Sequence, residues 1–252
     1  MQPISFAAQE QIMRKLFLVV LASTATLFSF SQEVTPKKKL DLASRPGDHI
    51  MLQLAYNSWQ GAPDSISSYI SGLQRSANVY VMLDKPFKGN PRFSLGLGIG
   101  VGTSNIYFKK MIVDLAAAKT LLPFLATDTV NNFKKYKLAT AFLEVPLELR
   151  FTKNPETPSK TVKAAIGVKV GTLVNAHTKG KTLRDKAGNT INGYTVKTNS
   201  KSYFNTTRLA ATARIGYGAF SLFGAYNLTG IFKDGVADDI KLMQIGLSIS
   251  GL

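Results

Sequence analysis

Apolar residues alternate with small or polar residues in eight separate stretches of this chain. The clearest stretch is Arg92–Gly102, RFSLGLGIGVG, in which every second residue from Phe93 to Val101 is apolar and those between are serine or glycine. Because successive side chains of a strand point to opposite faces, one face of this strand is apolar and the other almost bare. The pattern predicts eight strands: His49–Trp59, Ser76–Asp84, Arg92–Thr103, Tyr136–Thr152, Thr161–Asn175, Tyr203–Gly216, Ala219–Leu228 and Ile240–Leu252.

The connections between these strands alternate in length. Every odd connection is long or intermediate and every even one is short, as in the tight turn at Gly216–Gly218. Small outer-membrane barrels have short periplasmic turns, longer outer loops and an even number of strands. The sequence therefore predicts an all-β fold: an eight-stranded antiparallel up-and-down transmembrane β-barrel with short periplasmic turns and long extracellular loops.

A soluble β-sandwich or a lipocalin-like ligand binder also has alternating strands, and it is the alternative for the fold. In that fold the apolar faces would point inward and the charged faces outward.

Aromatic residues at both ends of the predicted strands favour the membrane, where such rings lie at headgroup level. We expect an outer and an inner girdle, the outer formed by Tyr56, Trp59, Tyr107, Phe108, Tyr136, Tyr203 and Phe204, and the inner by Phe93, Phe151, Tyr217 and Phe220. Within the longest connection, the apolar run Met111–Leu125 is expected to form a short helix.

The N-terminal region has the features of a secretory signal peptide. Arg14 and Lys15 precede the apolar run Leu16–Phe30, which is too short for a spanning helix and ends in small residues. We expect residues 1–31 to be a cleaved signal with its true start at Met13, residues 32–48 to be a flexible periplasmic lead-in, and residues 49–252 to be the barrel. This predicts export to the bacterial outer membrane.

The chain is strongly basic and contains no cysteine, with 31 Lys and Arg against 15 Asp and Glu, a formal charge of +16. The absence of cysteine excludes disulfides and thiolate metal sites. Since an exported protein seldom meets nucleic acid, the expected partners are outer-membrane lipid and lipopolysaccharide phosphates, or another envelope protein. The predicted extracellular basic loops carry Lys109, Lys110, Lys134, Lys135, Lys179, Lys181, Arg184 and Lys186.

In the fourth, fifth and sixth predicted strands, the face opposite the apolar one carries charged residues, and this face points into the barrel. An eight-stranded barrel is just wide enough for its side chains to fill it, so buried charges there must pair. We predict a luminal charge network of Glu144, Glu148, Lys169, Arg208 and Arg214, with room provided by the glycines of the third strand. A symmetric turn would place Glu144 opposite Lys169 and Glu148 opposite Ala165. A salt-bridged plug is favoured over a proton path or a gated pore.

No catalytic, cofactor or metal site is predicted, and we expect a non-enzymatic protein. The two histidines, His49 and His177, have no serine partner at a recognisable spacing. The acidic turn with Asp234, Asp238 and Asp239 is interpreted as solvated rather than as a cation site.

Three segments resemble the small outer-membrane β-barrel family of Gram-negative bacteria, which includes PorT-like proteins. They are AFLEVPLELRF at Ala141–Phe151, GLGIGVG at Gly96–Gly102 and IGLSISGL at Ile245–Leu252. The chain departs from many outer-membrane proteins in ending on Leu252 rather than on an aromatic residue. The resemblance implies the barrel fold, and the alternatives for function are an accessory role in protein secretion, as in PorT-like members, or a lipid-modifying enzyme.

Overall fold

The computed structural model of the protein describes residues 50–250. The predicted signal peptide and lead-in, His49 and Leu252 lie outside the described residues. The described part contains eleven strands, one four-residue helix α1 (Asp64–Ser67) and a 3₁₀ turn at Pro158–Lys160. The strands are β1 (Ile50–Gln60), β2 (Arg75–Pro86), β3 (Phe93–Phe108), β4 (Met111–Val113), β5 (Phe124–Ala126), β6 (Asn132–Thr152), β7 (Val162–Arg184), β8 (Thr190–Asn199), β9 (Thr207–Tyr217), β10 (Phe220–Asn227) and β11 (Lys241–Ser250).

Eight of these strands close into an antiparallel barrel. Each strand pairs with the next in the order β1, β2, β3, β6, β7, β9, β10 and β11, and β11 pairs again with β1. Closure leaves no unpaired edge within the barrel, which a lipid environment requires. The predicted fold class is confirmed.

The barrel is apolar on the outside and polar on the inside. Ile166, Ile215 and Leu247 point outward and are 63%, 61% and 61% exposed, whereas Asn78 and Gln244 point inward and are buried. A soluble barrel or sandwich has the opposite arrangement. The orientation of the faces therefore excludes the lipocalin-like alternative and suits a wall that contacts lipid.

The predicted pairing of β6 with β7 is wrong by two residues. Glu144 lies opposite Gly171 and Glu148 opposite Gly167, while Lys169 lies opposite Pro146. The reason is an asymmetric turn: it ends with the 3₁₀ segment and Thr161, so that Thr152 pairs with Lys163. Because the shift is even, every side chain keeps its predicted face.

Four connections on one side of the barrel are folded over its mouth. The buried side chains of Ile66, Val113, Leu122, Phe204 and Phe232 form one apolar cluster with residues at the ends of the barrel strands. The Tyr136 hydroxyl donates to the Val113 carbonyl at 2.8 Å, and the Val113 N–H donates to the same hydroxyl at 3.0 Å. We call this group of packed connections the cap.

The predicted helix at Met111–Leu125 is wrong. Its two ends, β4 and β5, pair as short antiparallel strands, and Met111, Val113 and Leu115 are buried in the cap. Alternate burial of Met111 and Val113 is the period of a strand rather than of a helix.

The prediction of the outer girdle is wrong for most of its residues, because their rings lie in the cap and not on the outer wall. Phe108, Tyr136, Tyr203 and Phe204 are buried in the cap, and β9 begins at Thr207, after Tyr203 and Phe204. Trp59 packs edge-on against Phe108 and Phe232 at ring distances of 5.6 and 5.8 Å. These rings cover the apolar underside of the cap because that surface must also be removed from water.

Some aromatic rings do lie on the outer wall. At the capped end Tyr56 is 51% exposed, and at the short-turn end Tyr217 and Phe220 are 60% and 64% exposed. Phe93 and Phe151, on neighbouring strands, pack with their ring centres 5.2 Å apart and their planes tilted by 52°.

Candidate functional site: the filled lumen and the basic arm

Glu144 is the centre of the first charge cluster in the lumen. Its side chain is completely buried and accepts a hydrogen bond from Arg208 Nη2, while Lys169 Nζ lies 3.4 Å from Oε2. The Tyr80 hydroxyl donates to Oε2 at 2.5 Å. Two cations and one phenol thus satisfy this carboxylate. The Arg208 guanidinium also lies 4.2 Å from the centre of the Phe142 ring.

Glu148 is the centre of a second cluster, nearer the short turns. Arg214 Nη2 and Arg150 Nε donate to the same carboxylate oxygen at 3.0 and 2.9 Å. Arg150 Nη1 also lies 3.6 Å from Asp84, which accepts a hydrogen bond from the Ser94 hydroxyl at 2.7 Å. The second cluster is therefore connected to the periplasmic end of the barrel.

The structure places all five residues of the predicted luminal network inside the barrel and brings them together in two clusters. Tyr80, Asp84 and Arg150 were not assigned to the network from the sequence. Tyr80 gave no signal, because a tyrosine in an alternating strand is ordinary. Arg150 follows Glu148 by two residues, and in a strand that spacing places both side chains on the same face. The sequence therefore did indicate that Arg150 points into the lumen.

Glycines on β3 make room for these long side chains. A methyl group at Gly102 would overlap the Glu144 carboxylate and approach Arg208 Nη2 to 3.1 Å, and one at Gly96 would lie 2.5 Å from Arg150 Nε. The bare face of β3 is where the charged groups of β6 and β9 lie.

Polar side chains fill the lumen around the Glu144 cluster. Gln244 accepts a hydrogen bond from Lys169 at 3.3 Å and donates to Asn57 at 3.2 Å and Ser76 at 2.9 Å, and Asn57 donates to Ser104 at 3.1 Å. Two cavities beside the clusters measure about 20 and 10 Å³. A volume of that size holds about one water molecule.

At the end of the barrel that carries the long connections, β7 continues past its pairing with β9 and pairs instead with β8, while β6 stays paired with β7 and, through residues 136–139, with β3. We call residues 132–139, residues 177–184 and β8 together the basic arm. On its outward face Lys135 lies directly opposite Lys181, Lys137 opposite Lys179, and Lys179 opposite Lys197. Like charges directly opposite each other on a sheet are destabilising.

The eight lysines and arginines predicted for the outer loops separate into two groups. The basic arm carries Lys134, Lys135, Lys179, Lys181 and Arg184, with Lys186 in the tight turn that joins β7 to β8. Lys109 and Lys110 lie apart, in the turn after β3, where Lys110 is 3.5 Å from Asp128. Lys137 and Lys197 were missed, because only the pairing of β8 with β7 brings Lys197 beside Lys179.

His177 lies at the base of the basic arm, and the positive charges of the arm affect its pKa. Burial, followed by the positive charges of Lys197, Lys137 and Lys179, lowers the pKa of His177. Its ring nitrogen Nδ1 is 2.7 Å from the Asn175 amide oxygen. Burial and the positive charges of the arm thus both favour the neutral form of this histidine.

Within residues 50–250, no three His, Asp or Glu side chains group in a way that could hold a metal ion. In the predicted acidic turn, the Asp239 carboxylate lies 3.3 Å from Lys241 Nζ. None of the described helices is long and apolar enough to cross a membrane.

The family model of the outer membrane protein beta-barrel domain matches residues 48–233. The chain belongs to this family. Membership indicates the bacterial outer membrane as the location of the barrel, in agreement with its apolar outer wall. No curated protein matches the chain.

Two solved structures of outer-membrane barrels are similar to the barrel. Neisserial surface protein A (NspA) is 10% identical with a TM-score of 0.35, covering 80% of this chain and 95% of its own. Ail, the attachment invasion locus protein of Yersinia pestis, is 10% identical with a TM-score of 0.33, covering 81% of this chain and 96% of its own.

Proposed function

We propose that this outer-membrane barrel is a non-enzymatic, closed protein that acts through its basic outer surface, where it binds phosphate groups of lipopolysaccharide. The observation that carries the proposal is the unbalanced positive charge of the basic arm. Three lysines, Lys137, Lys179 and Lys197, lie side by side on three neighbouring strands.

The filled lumen supports a role on the outside. Glu144 and Glu148 are each held between two cations, the polar network occupies the remaining space, and the cap packs over one end. A buried ion pair that loses one partner leaves an uncompensated charge at high cost, so such clusters keep their arrangement. The plug leaves the outer surface as the place where a partner binds.

The basic arm is suited to a partner that carries many phosphates. Like-charge pairs across the strands cost free energy in the isolated protein, and a polyanion bound along the arm removes that cost. Lysine binds phosphate as a point charge and needs no single fixed geometry. The arm extends from the end of the barrel that carries the long connections, and in outer-membrane barrels these face the outside.

Binding of deacylated lipopolysaccharide, which keeps its phosphates but has no acyl chains, tests this proposal. The barrel is placed in nanodiscs of zwitterionic phosphatidylcholine, and affinity is measured by calorimetry at several salt concentrations. Each lysine near an anionic surface contributes about 1 kcal/mol. Replacing Lys179, Lys181 and Lys197 with glutamine should therefore weaken binding about 100-fold at low salt, with a smaller effect at high salt.

The matched control replaces Lys88, Lys119 and Lys233, three exposed lysines outside the arm, with glutamine. This variant loses the same charge and should keep its affinity within about threefold. Equal weakening in both variants would show that net charge alone attracts the ligand, and absence of binding in the unmodified barrel would refute the proposal.

A further inference from the structure

An open groove of about 550 Å³ runs along the outer wall of the barrel, over β1, β2 and β3. It is separate from the lumen, because the side chains on its floor point toward lipid. Its lining includes Leu54, Leu73, Arg75, Ala77, Tyr107 and Lys137.

The groove forms where the pairing of β2 with β3 is interrupted. Arg75 pairs with Asn105 and Asn78 with Gly102, but the two positions between them are not paired across the strands. Instead, the Thr103 hydroxyl accepts a hydrogen bond from the Ala77 N–H at 3.2 Å and donates to the Ala77 carbonyl at 2.8 Å. The Thr103 side chain thus replaces a backbone partner.

Ala77 deepens this opening because it is the smallest side chain on the outward face of β2. Its partner on β1 is Leu54, and the next outward residue along β2 is Val79. The floor of the groove is therefore apolar, and at Ala77 it is lower than at the neighbouring Leu54 and Val79.

Two cations lie at the end of the groove nearest the cap. The Arg75 guanidinium is 5.4 Å and Lys137 Nζ is 5.9 Å from the centre of the same Tyr107 ring. Arg75 Nη2 donates to the Tyr107 hydroxyl at 3.1 Å, and Lys137 donates to the Asn105 amide oxygen at 2.6 Å. Among the described residues, neither cation has a carboxylate within ion-pair distance.

We propose that the groove is a binding site for one lipid A molecule of the outer leaflet, with an acyl chain over Ala77 and a phosphate between Arg75 and Lys137. The apolar floor matches a hydrocarbon chain, and the two cations match a doubly charged phosphate monoester. The cationic end points toward the long connections, which places the phosphate in the outer leaflet. The site shares Lys137 with the basic arm, but its floor and Arg75 lie on the barrel wall outside the arm, so its tests use Ala77 and Arg75.

Native mass spectrometry of the barrel released from detergent micelles tests the site, with lipid A and phosphatidylethanolamine as the two probes. We expect one tightly bound lipid A per barrel, and about tenfold weaker retention of phosphatidylethanolamine, whose headgroup has no net charge. Equal retention of both lipids, or no discrete one-to-one complex, would overturn the proposal.

The variant Ala77→Phe fills the groove, and Val79→Phe adds the same ring at the next outward position of the same strand. Since aromatic residues occur on the lipid-facing walls of outer-membrane barrels, both variants should fold. Ala77→Phe should reduce lipid A binding about tenfold and Val79→Phe should leave it unchanged. Equal effects of the two rings would contradict a site at Ala77.

The variant Arg75→Gln removes one cation without altering the groove floor. It should reduce lipid A binding about tenfold while retention of phosphatidylethanolamine stays the same. Unchanged lipid A binding would contradict the phosphate site.

Ala77→Phe should leave binding of deacylated lipopolysaccharide to the basic arm intact, so a failure of the groove and a failure of the arm give different results.

Discussion

Replacing Glu144 with glutamine is expected to lower the free energy of unfolding of the barrel by about 3–5 kcal/mol. Glu144 is the shared partner of Lys169 and Arg208, both buried, so the substitution leaves two like charges in the lumen without a counter-charge. Urea unfolding in detergent micelles measures the effect, followed by the fluorescence of Trp59, the only tryptophan of the chain.

The control for this substitution is Glu156→Gln, which removes the same charge from an exposed position in the turn between β6 and β7. Exposed charges contribute little, and the change should stay within about 0.5 kcal/mol. Adding Lys169→Met to Glu144→Gln should recover part of the lost stability because one unpaired cation is removed. Equal stability of Glu144→Gln and the unmodified barrel would refute the arrangement of charges described above.

A methyl group at Gly102 is expected to destabilise the barrel by about 1–3 kcal/mol. The added carbon of Gly102→Ala would overlap the Glu144 carboxylate and approach Arg208 Nη2 to 3.1 Å, so the ion cluster of Glu144, Lys169 and Arg208 would have to shift to accept it. The loss should appear as a lower urea midpoint and as a lower temperature for the change in gel mobility on heating.

Gly224→Ala is the matched control, because a methyl group there meets only the Gln244 carbonyl oxygen, at 3.9 Å. Both glycines lie in barrel strands, so the two substitutions change backbone entropy to a similar extent. Equal destabilisation by both would show that the strand, rather than the charge cluster, is responsible.

The barrel itself could be predicted from the sequence because its determinant is local. Alternation in β3 and the loop lengths fix strand faces and strand number without knowledge of any distant contact. The same property explains why the luminal position of Glu144 and Glu148 survived a pairing error of two residues. A shift of one residue would have reversed every face.

The cap could not be predicted because its determinants are long-range. Phe204 was predicted in a strand and in the outer girdle, and Phe232 lies in a separate connection, yet the two rings pack against each other with centres 5.2 Å apart. The helix predicted at Met111–Leu125 failed for the same reason: Val113 is fixed by Tyr136, which follows it by 23 residues.

The two candidate surfaces differ in how much the sequence revealed. A count of lysines indicated a basic exterior, but the alignment of Lys137, Lys179 and Lys197 needed the pairing of three strands. The groove at Ala77 needed the interruption of pairing between β2 and β3, which no periodicity in either strand indicates.

Planar bilayer recording of the purified barrel tests most directly the central claim, that the lumen is filled and the protein acts from its outer surface. The ion clusters around Glu144 and Glu148 and the cap over the mouth predict no conductance steps above the baseline of the lipid alone, at any salt concentration. Stable ohmic steps that appear with insertion of the barrel would contradict the account.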